Sequence, residues 1–405
     1  MSPANGSHRE TKIASSNNLS CRAIDSLGQI SAQHWNRLIP DHAGQVFLRH
    51  EWLAALETSG CVGGDTGWMA QHLLLSPESN PHQVLAAMPL YLKYHSYGEY
   101  VFDWAWADAY QRSGLAYYPK LLSAIPFTPV SGPRFLGEAQ YARALKISLE
   151  QIVKSQDLSS VHILLPSPAE DFPQGTQGGA ASAWMQRKGV QFHWFNQGFR
   201  HFEDFLNSLS QPKRKKIRAE RRKALEAGVG CRWKMGKDIS PKDWQHFMAC
   251  YTATYHAHGS EPYLNLKFFQ SAHQAMPEAF VLIIASAYGK DVGASLMIRE
   301  GDRLYGRHWG SIAHVPFMHF EVAYYQSIEF AIEHGCQVIE GGAQGEHKMA
   351  RGFLPVETHS WHYLRDERFA DAVERFLSRE GKVMAGYIDE LNERNPFKEA
   401  PSTEP

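Results

Sequence analysis

Cysteine is scarce in this chain and follows no metal-binding or disulfide pattern. The five cysteines, Cys21, Cys61, Cys231, Cys250 and Cys336, are scattered, odd in number and contain no CxxC pair. Zinc sites and disulfide frameworks need closely spaced or evenly paired cysteines. The sequence therefore argues against both kinds of site and favours a reducing, cytoplasmic compartment.

Long apolar runs are also missing. The longest, near Phe280 to Tyr288, is far shorter than the roughly 20 residues that cross a bilayer. The polar first 20 residues lack the apolar segment of a secretion signal. We therefore expect no integral membrane association. We also expect disorder over residues 1–20 and in the tail 395–405.

Neither sign of charge dominates, because 41 Lys and Arg oppose 42 Asp and Glu. Global charge thus predicts no DNA or membrane-surface partner. Histidines number 21, but pairs such as His256/His258 and His359/His362 lack a third ligand at a recognisable spacing. We predict no metal site and no tightly bound cofactor.

The stretch from Val281 to Phe353 carries the strongest pattern in the chain. Two apolar runs flank Gly289-Lys290-Asp291, and a second pair flanks Gly301-Asp302, which predicts two hairpins. A helix with one apolar face follows, ending near Gly335. A short buried strand and a Gly- and charge-rich turn, GGAQGEHKMARGF, close the segment.

At 405 residues the chain has room for two domains, since one core serves roughly 100–200 residues. The fold class predicted is α/β (α+β), with mixed sheets flanked by helices. Residues 183–195 are expected to form a short helix (AWMQRKG) and a strand (VQFHWF), and FDWAWADAYQR an aromatic loop. The predicted organisation is a disordered 1–20, a first domain 21–165, a linker 166–183, a second domain 184–394 and a disordered 395–405.

A strongly basic helix is predicted over residues 212–227, PKRKKIRAERRKALEA. Ile217, Ala224 and Leu225 give it only a narrow apolar stripe, so most of its surface faces solvent or an anionic ligand. One interpretation is a solvated charged face. The other is a phosphate-binding surface, for which the planar fork of arginine is well suited.

From Trp184 to His362 the chain resembles the Fem-like aminoacyl/acyltransferases of the GNAT superfamily. The features that carry the resemblance occur in the same order: QFHWF, RHFEDFLNSL, the basic helix, HAHGSEPYL, AYGKDVGASLMI, RLYGRHWGS, FAIEHG and VIEGGAQGEHKMARGF. IPFTPVSGPR is similar to the Gly-Pro loop of that family's first domain. More narrowly, the chain looks like a bacterial group of predicted N-acyltransferases. The resemblance implies two tandem GNAT-type domains and acyl or aminoacyl transfer to an amine of a cell-envelope precursor or small metabolite.

The donor implied by the resemblance is acyl-CoA or aminoacyl-tRNA. Ordinary GNAT enzymes hold the CoA pyrophosphate with a Gly-rich loop before the long helix. Here that loop is GSIAHVPFMH, without the glycines, which speaks against acetyl-CoA. Fem-like enzymes also lack the loop and use charged tRNA. A non-catalytic nucleic-acid-binding protein that uses helix 212–227 is the alternative function.

Acyl transfer requires a base for the amine and a cation or donor for the oxyanion. Lys348 falls at the position of the lysine in the family's Phe-Lys motif and is expected to stabilise the oxyanion or bind phosphate. Glu340 or Glu346 is expected to act as the base or to bind the amine. Alternatively, Glu346 and Lys348 are exposed turn charges. The predicted substrate-binding residues are Lys216, Arg218, Arg222, Tyr305, Arg307, Glu321, Gln344, Asp103 and Arg134.

For five of these residues the sequence also predicts a geometry or leaves an alternative role open. Strand alternation places Tyr305 and Arg307 on one face and His308 on the other. Glu321 is either a ligand or a favourable charge near a helix start. Asp103 and Arg134 either face the acceptor or form salt bridges that pack loops.

Overall fold

The computed structural model describes residues 18–40, 44–168, 170, 184–343 and 345–398, with the backbone alone for Glu346. Within them the chain forms two compact units. Unit 1 takes in residues up to 126, 131–187 and 360–377, and unit 2 takes in 127–130, 188–359 and 378 onward. Both units combine helices with β-sheet, which confirms the predicted α/β class.

The strands in chain order are β1 (Leu19–Ile24), β2 (Trp68–Ala70), β3 (His72–Pro77), β4 (Ala86–Met88), β5 (Tyr91–Lys93), β6 (Lys120–Ser123), β7 (Leu136–Gly137), β8 (Ser160–Leu164), β9 (Trp184–Phe195), β10 (Gly230–Met235), β11 (Phe280–Ala287), β12 (Lys290–Glu300), β13 (Arg303–Ser311), β14 (Val338–Glu340) and β15 (Leu354–Leu364). The helices are α1 (Ala32–Asn36), α2 (His50–Thr58), α3 (Trp104–Arg112), α4 (Ala142–Ser155), α5 (Phe202–Ser208), α6 (Gln211–Glu226), α7 (Pro241–Ala257), α8 (Leu266–Ala275), α9 (Met318–Phe320), α10 (Gln326–Glu333) and α11 (Glu367–Glu393).

Unit 1 contains two sheets. The first has the antiparallel order β1-β3-β4-β7. The second has the order β2-β5-β6-β8, with β15 added from Ser360 onward. Its β6 and β8 are parallel, and α4 lies between them in the chain. Parallel neighbours need such a crossover, and α4 buries Leu145, Leu149 and Ile152 in the core of the unit.

Unit 2 repeats this plan with one sheet in the order β10-β11-β12-β13-β14-β9. The two predicted hairpins are confirmed as β11–β12 and β12–β13. The parallel pair here is β13 and β14, and the connection runs through α9, a π-helical turn Glu321–Tyr325 and α10. Ile328 and Ala331 of α10 are fully buried, as their spacing predicts.

Several local predictions were wrong. In the segment AWMQRKG, residues 184–189 are the start of strand β9 and not a helix. FDWAWADAYQR contains helix α3 and is not only a loop, and Trp106 and Tyr110 supply its buried face. The aromatic residues stabilise the helix by tertiary packing, which outweighs their modest helix propensity.

The predicted disordered ends are too long by a few residues. Leu19 and Ser20 belong to strand β1, and Phe397 pairs with Leu209. Residues 1–17 and 399–405 lie outside the described residues, as does most of the predicted linker 166–183.

Candidate functional site

A cavity opens in unit 2 beside the parallel pair β13 and β14. Their pairing joins Arg303–Tyr305 to Val338–Glu340, but β13 continues to Ser311 after β14 has ended. The cavity has a volume of about 140 Å³. Its lining residues are Ser295, Gly306, Arg307, His308, Trp309, His319, Ala323, Tyr324, Ser327, Ile339, Gly341, Lys348 and Phe353.

Lys348 brings a buried ammonium group to this cavity. It lies on the 3-10 turn Glu346–Arg351 and is 7 % exposed. Its Nζ donates to the carbonyl oxygens of Gly341 and Gly342, the latter at 3.4 Å. Burial lowers the pKa of Lys348 to about 8. The ammonium is thus charged at neutral pH but held in a poorly solvated place.

Helix α6 holds the turn that carries Lys348. Glu220, on the inner face of α6, accepts a hydrogen bond from Arg351 Nη2 at 2.8 Å and another from the Tyr325 hydroxyl. Arg351 Nη1 donates to the His347 carbonyl at 2.8 Å, and its guanidinium lies 3.6 Å from the centre of the Phe320 ring. A buried ion pair therefore holds the Arg351 end of this short turn, and Arg351 in turn holds the His347 carbonyl near its start.

An aromatic and imidazole cluster adjoins Lys348. The Tyr324 hydroxyl and His347 Nε2 are 2.9 Å apart, and the ring of His319 lies 5.6 Å from that of Tyr324. Burial, followed by the nearby His347, Arg351 and Lys348, lowers the pKa of His319 to about 4. Burial raises the pKa of Tyr324 to about 12.

A β-bulge changes which residues of β13 point the same way. Gly306 pairs with Met297 and His308 with Leu296, so the register passes over Arg307. The extra residue puts Tyr305 and His308 in phase, and the predicted split of Tyr305 with Arg307 against His308 is wrong. Arg307 lines the cavity, and its Nη2 donates to the Phe127 carbonyl at 2.6 Å.

Glu340 lies on the opposite side of β14 from the Lys348 cavity. Ile339 and Gly341 line the cavity, so strand alternation directs Glu340 to the other face. There its Oε1 accepts from Arg303 at 3.2 Å, and its Oε2 lies 3.9 Å from His193 Nε2. Burial raises the pKa of Glu340 to about 7 despite Arg303. The structure therefore does not bring Glu340 and Lys348 into contact.

The predicted substrate ligands of α6 lie on its solvent face. Lys216, Arg218 and Arg222 are exposed, and the two arginines pair with Glu203 and Glu226. The predicted apolar stripe was wrong in one residue, because Leu225 is 72 % exposed and Glu220 takes the inward position.

Glu321 contacts α6 from the π-helical turn. Its carboxylate accepts two hydrogen bonds from Arg221, at 3.0 and 3.2 Å. Arg221 also pairs with Glu329 at 2.7 Å. The Glu321 charge is thus neutralised within unit 2, and this pairing was in neither of the two sequence interpretations.

Asp103 belongs to a buried charge network in unit 1. Lys120 Nζ lies 2.5 Å from Asp103 and 2.9 Å from Glu99. Burial alone would raise the pKa of Asp103, but the Lys120 ammonium brings it well below its usual range. Tyr117 donates to Asp103 at 2.5 Å. These contacts match the packing interpretation of Asp103.

Arg134 is fully buried in unit 1 and satisfied by its own backbone surroundings. Its guanidinium donates to the carbonyl oxygens of Leu164, Gly132 and Pro133 at 2.9 to 3.1 Å. Glu170 accepts hydrogen bonds from the Arg134 amide at 2.8 and 3.0 Å. Arg134 therefore braces a loop of unit 1.

Two predicted site residues cannot be placed. Gln344 lies outside the described residues, and so does the side chain of Glu346. Among the residues that are described, no group of three or more His, Cys, Asp or Glu could hold a metal ion. None of the helices described combines the length and apolar character that crossing a membrane requires.

Sequence reasoning missed Glu220, Tyr324 and Arg351 as parts of the Lys348 site, and it gave His347 no role beside Lys348. The basic helix was read by its charge, which hid one inward glutamate among eight cations. The ARGF sequence after Lys348 was the available signal for Arg351, since an arginine that packs against a helix often pairs with a carboxylate. Tyr324 and His347 are 23 residues apart, and no spacing rule joins them.

The sequence matches the FemAB-like family, described as peptidoglycan biosynthesis/recognition, over residues 26–399. No curated protein sequence matches the chain. Among solved structures, FemX is similar at 13% identity and a TM-score of 0.50, covering 85% of this chain and 98% of FemX. L-PGS from Bacillus licheniformis matches at 9% identity and TM-score 0.46, covering 81% and 95%. A tandem GNAT protein from the clavulanic acid biosynthesis pathway matches at 11% and 0.45, covering 85% and 98%.

The family match spans most of the chain, and the similarity to FemX agrees with it at the level of the fold. The family match supports a transferase over the non-catalytic alternative. The chain belongs to the FemAB-like family and is an aminoacyl- or acyltransferase.

Proposed function

We propose that this chain transfers an acyl or aminoacyl group from a phosphate-bearing donor to an amine of a cell-envelope precursor, with the Lys348 cavity as its reaction site. The observation that carries the proposal is the buried Lys348 ammonium beside the end of β14, in a cavity bordered by strand backbone. Peptidoglycan biosynthesis and recognition, the description of the family, supports the acceptor class.

The role proposed for Lys348 is to stabilise the oxyanion. When the amine attacks the acyl carbon, negative charge develops on the carbonyl oxygen. A fixed cation in a site that excludes water stabilises this charge far more than it would in bulk solvent. The Gly341 and Gly342 carbonyls hold the ammonium in place before the reaction, so little reorganisation is needed.

Glu340 is proposed to bind a cationic group of the acceptor other than the amine that reacts, because it lies on the opposite side of β14 from the cavity. Its carboxyl group is 5 % exposed, and its Oε2 accepts no hydrogen bond from the described residues. A buried carboxylate with spare acceptor capacity favours a cationic partner. Burial raises the pKa of Glu340 to about 7, so a cationic group beside it would favour the charged carboxylate near neutral pH.

Helix α6 is proposed to bind the phosphates of the donor. Its solvent face carries exposed cations, of which Lys215, Lys216 and Arg222 are examples. Acyl-CoA and aminoacyl-tRNA both carry phosphates, so the same surface serves either donor. Glu203 and Glu226 neutralise part of the positive charge of this surface. Weaker attraction for phosphate suits a donor whose remainder must leave after each turnover.

Binding and product formation test the proposal together. The purified chain is offered acetyl-CoA, a long-chain acyl-CoA, charged tRNA and uncharged tRNA, each with an amine-bearing peptidoglycan precursor. A donor at 100 times its Kd should raise the unfolding free energy by about 2.7 kcal/mol. We expect one phosphate-bearing donor to bind and to yield an acylated amine detected by mass.

The matched control concerns helix α6. Lys216→Glu with Arg222→Glu should weaken donor binding, whereas Lys290→Glu in the β11–β12 hairpin should leave it unchanged. Equal binding of charged and uncharged tRNA with no product would favour the nucleic-acid-binding alternative. No binding and no product from any donor would overturn the proposal.

A further inference from the structure

A tyrosine and a histidine connect the Lys348 cavity with solvent. Tyr324 lines the cavity and is 7 % exposed, whereas His347 lies at the surface. Their Oη and Nε2 atoms are 2.9 Å apart. A phenol on the inside thus contacts an imidazole on the outside, across the wall of the cavity.

The packing around this pair keeps both rings in place. Gly345 has φ of 98°, and a Cβ there would come within 2.4 Å of the His347 ring. A residue without a side chain is therefore required for His347 to lie where it does. Phe353 and His319 contact Tyr324, with ring centres 5.8 and 5.6 Å from it.

We propose that Tyr324 and His347 form the route by which the acceptor amine loses its proton. This inference rests on the proposed function and adds the base that the cavity needs, because Glu340 lies across the sheet. As the bond between the amine nitrogen and the acyl carbon forms, the amine proton passes to Tyr324 Oη. The hydroxyl proton of Tyr324 passes at the same time to His347 Nε2.

The remaining steps balance this transfer. His347, now an imidazolium at the surface, gives its proton to water. The bond between the acyl carbon and the donor's sulfur or oxygen breaks, and the leaving group takes the electron pair and a proton from water. Tyr324 ends as a neutral phenol, and the proton that the amine gives to solvent is balanced by the proton that the leaving group takes from it.

The electrostatics of the cluster suit these roles. The groups that face His347 are Lys348 and Arg351 on its own turn, and His319 and Tyr324 on the helix. Burial and the two cations lower the pKa of His347, so the ring is neutral and able to accept a proton at pH 7. The same cations favour quick loss of that proton once it has arrived. Tyr324 stays protonated because burial raises its pKa to about 12.

Two substitutions and two controls test the route with a donor that gives product. Tyr324→Phe keeps the ring and removes the hydroxyl, and His347→Gln removes the titrating group at an exposed position. General acid–base catalysis contributes about 10²–10⁴-fold, so we expect kcat to fall by at least about 100-fold in each variant. Exposed controls, Tyr288→Phe and His82→Gln, should keep the wild-type rate.

The pH profile separates catalysis from packing. In the wild type, kcat should fall as acid protonates His347, and this acidic limb should be absent from the residual activity of His347→Gln. If Tyr324→Phe stays within about twofold of the wild-type rate and His347→Gln keeps the limb, the route is overturned. If Lys348→Met abolishes turnover in the same experiment, the reaction site stands although the route does not.

The contact between Tyr324 and His347 can also be tested without donor or acceptor, and so without an activity assay. The imidazole of His347 is titrated by NMR in the wild type and in Tyr324→Phe. We expect the substitution to move its pKa, because the hydrogen bond to Nε2 is lost. Identical titrations would show that the two side chains do not interact, which also overturns the proposal.

Discussion

At the residue scale, burial favours the uncharged form of both Lys348 and Glu340. Because one is a base and the other an acid, their pKa values move in opposite directions. It lowers the pKa of Lys348 to about 8 and raises that of Glu340 to about 7. Desolvation always acts against the charged form, so it lowers the pKa of a base and raises that of an acid. Both groups therefore change charge close to neutral pH, where a substrate or a nearby ion can select the charge state.

Lys348→Arg should change the alkaline side of the pH profile. If the ammonium stabilises the oxyanion, wild-type kcat/KM falls above about pH 8 as Lys348 loses its proton. Arginine keeps its charge throughout this range. The residual activity of the variant should therefore show no such decline. A decline at the same pH in both proteins would assign the limb to another group.

Glu340→Gln should change how stability depends on pH. An unfolded glutamate loses its proton near pH 4.5, whereas folded Glu340 holds its proton until about pH 7. Between these values the folded state binds more protons, so the free energy of unfolding falls as pH rises. The fall is on the order of 1–3 kcal/mol. Urea denaturation at pH 5 and pH 8 measures it.

The glutamine variant should lose less stability between the two pH values than the wild type. Glu333→Gln, an exposed glutamate of α10, is the matched control and should lose as much as the wild type. Equal losses in wild type and Glu340→Gln would show that the Glu340 carboxyl is solvated.

The sequence could identify Lys348 as a candidate but could not supply its surroundings. Its place in a charged turn after a short strand is readable from one segment, GGAQGEHKMARGF. The bulge at Arg307 could not be read from the sequence, because one extra residue in a strand leaves the hydrophobic alternation on either side of it nearly intact. The pairing of Tyr324 with His347 depends on how a helix packs against a turn.

At the element scale, helix α6 has two different faces. Its outward cations could be read from the sequence, whereas Glu220 could not be assigned inward, because a lone glutamate on a basic helix usually pairs with its neighbours. Glu220 instead joins Arg351 and Tyr325 in the interior. The helix thereby positions the Lys348 turn from behind.

Glu220→Gln should loosen that turn. Removing the charge leaves the Arg351 guanidinium buried without its partner, which typically costs about 3–5 kcal/mol when one member of a buried pair is lost. Glutamine keeps the shape and one acceptor oxygen, so we expect about 1–3 kcal/mol. Urea denaturation gives the loss, and amide exchange of residues 346–351 locates it.

The control for Glu220 lies on the same helix. Glu226→Gln breaks an exposed pair with Arg222 and should cost no more than about 0.5 kcal/mol. If the two variants are equally stable, the Glu220–Arg351 pair does not brace the turn.

Helix α7 approaches strand β13 closely at Gly310. A Cβ at this position would lie 2.1 Å from the Cys250 carbonyl oxygen, which is backbone and cannot swing away. Gly310→Ala should therefore push α7 from the sheet and cost at least about 1–3 kcal/mol. Gly306→Ala is the matched control in the same strand, since its nearest neighbour lies at 3.5 Å. Thermal unfolding of the two variants decides, and equal melting temperatures would contradict the close approach.

At the scale of the whole molecule, the class of fold was predictable and the division of the chain was not. Alternation and hairpin signals gave the α/β class, and both units repeat a parallel strand pair joined through a helix. Each unit, however, contains a segment from the other half of the sequence: 127–130 belongs to unit 2 and 360–377 to unit 1. Boundaries drawn from Pro- and Gly-rich linkers assume that each domain is continuous, so they could not reveal this exchange.

Single-turnover acyl transfer by wild type, Lys348→Met and Lys290→Met tests the central claim most directly. The donor is one shown to bind, the acceptor is an amine-bearing peptidoglycan precursor, and the acylated product is measured by mass. We predict that Lys348→Met binds donor within a few-fold of the wild type but forms product at least about 100-fold more slowly, while Lys290→Met matches the wild type. A Lys348→Met protein that is folded and transfers the acyl group at the wild-type rate would show that the reaction takes place elsewhere.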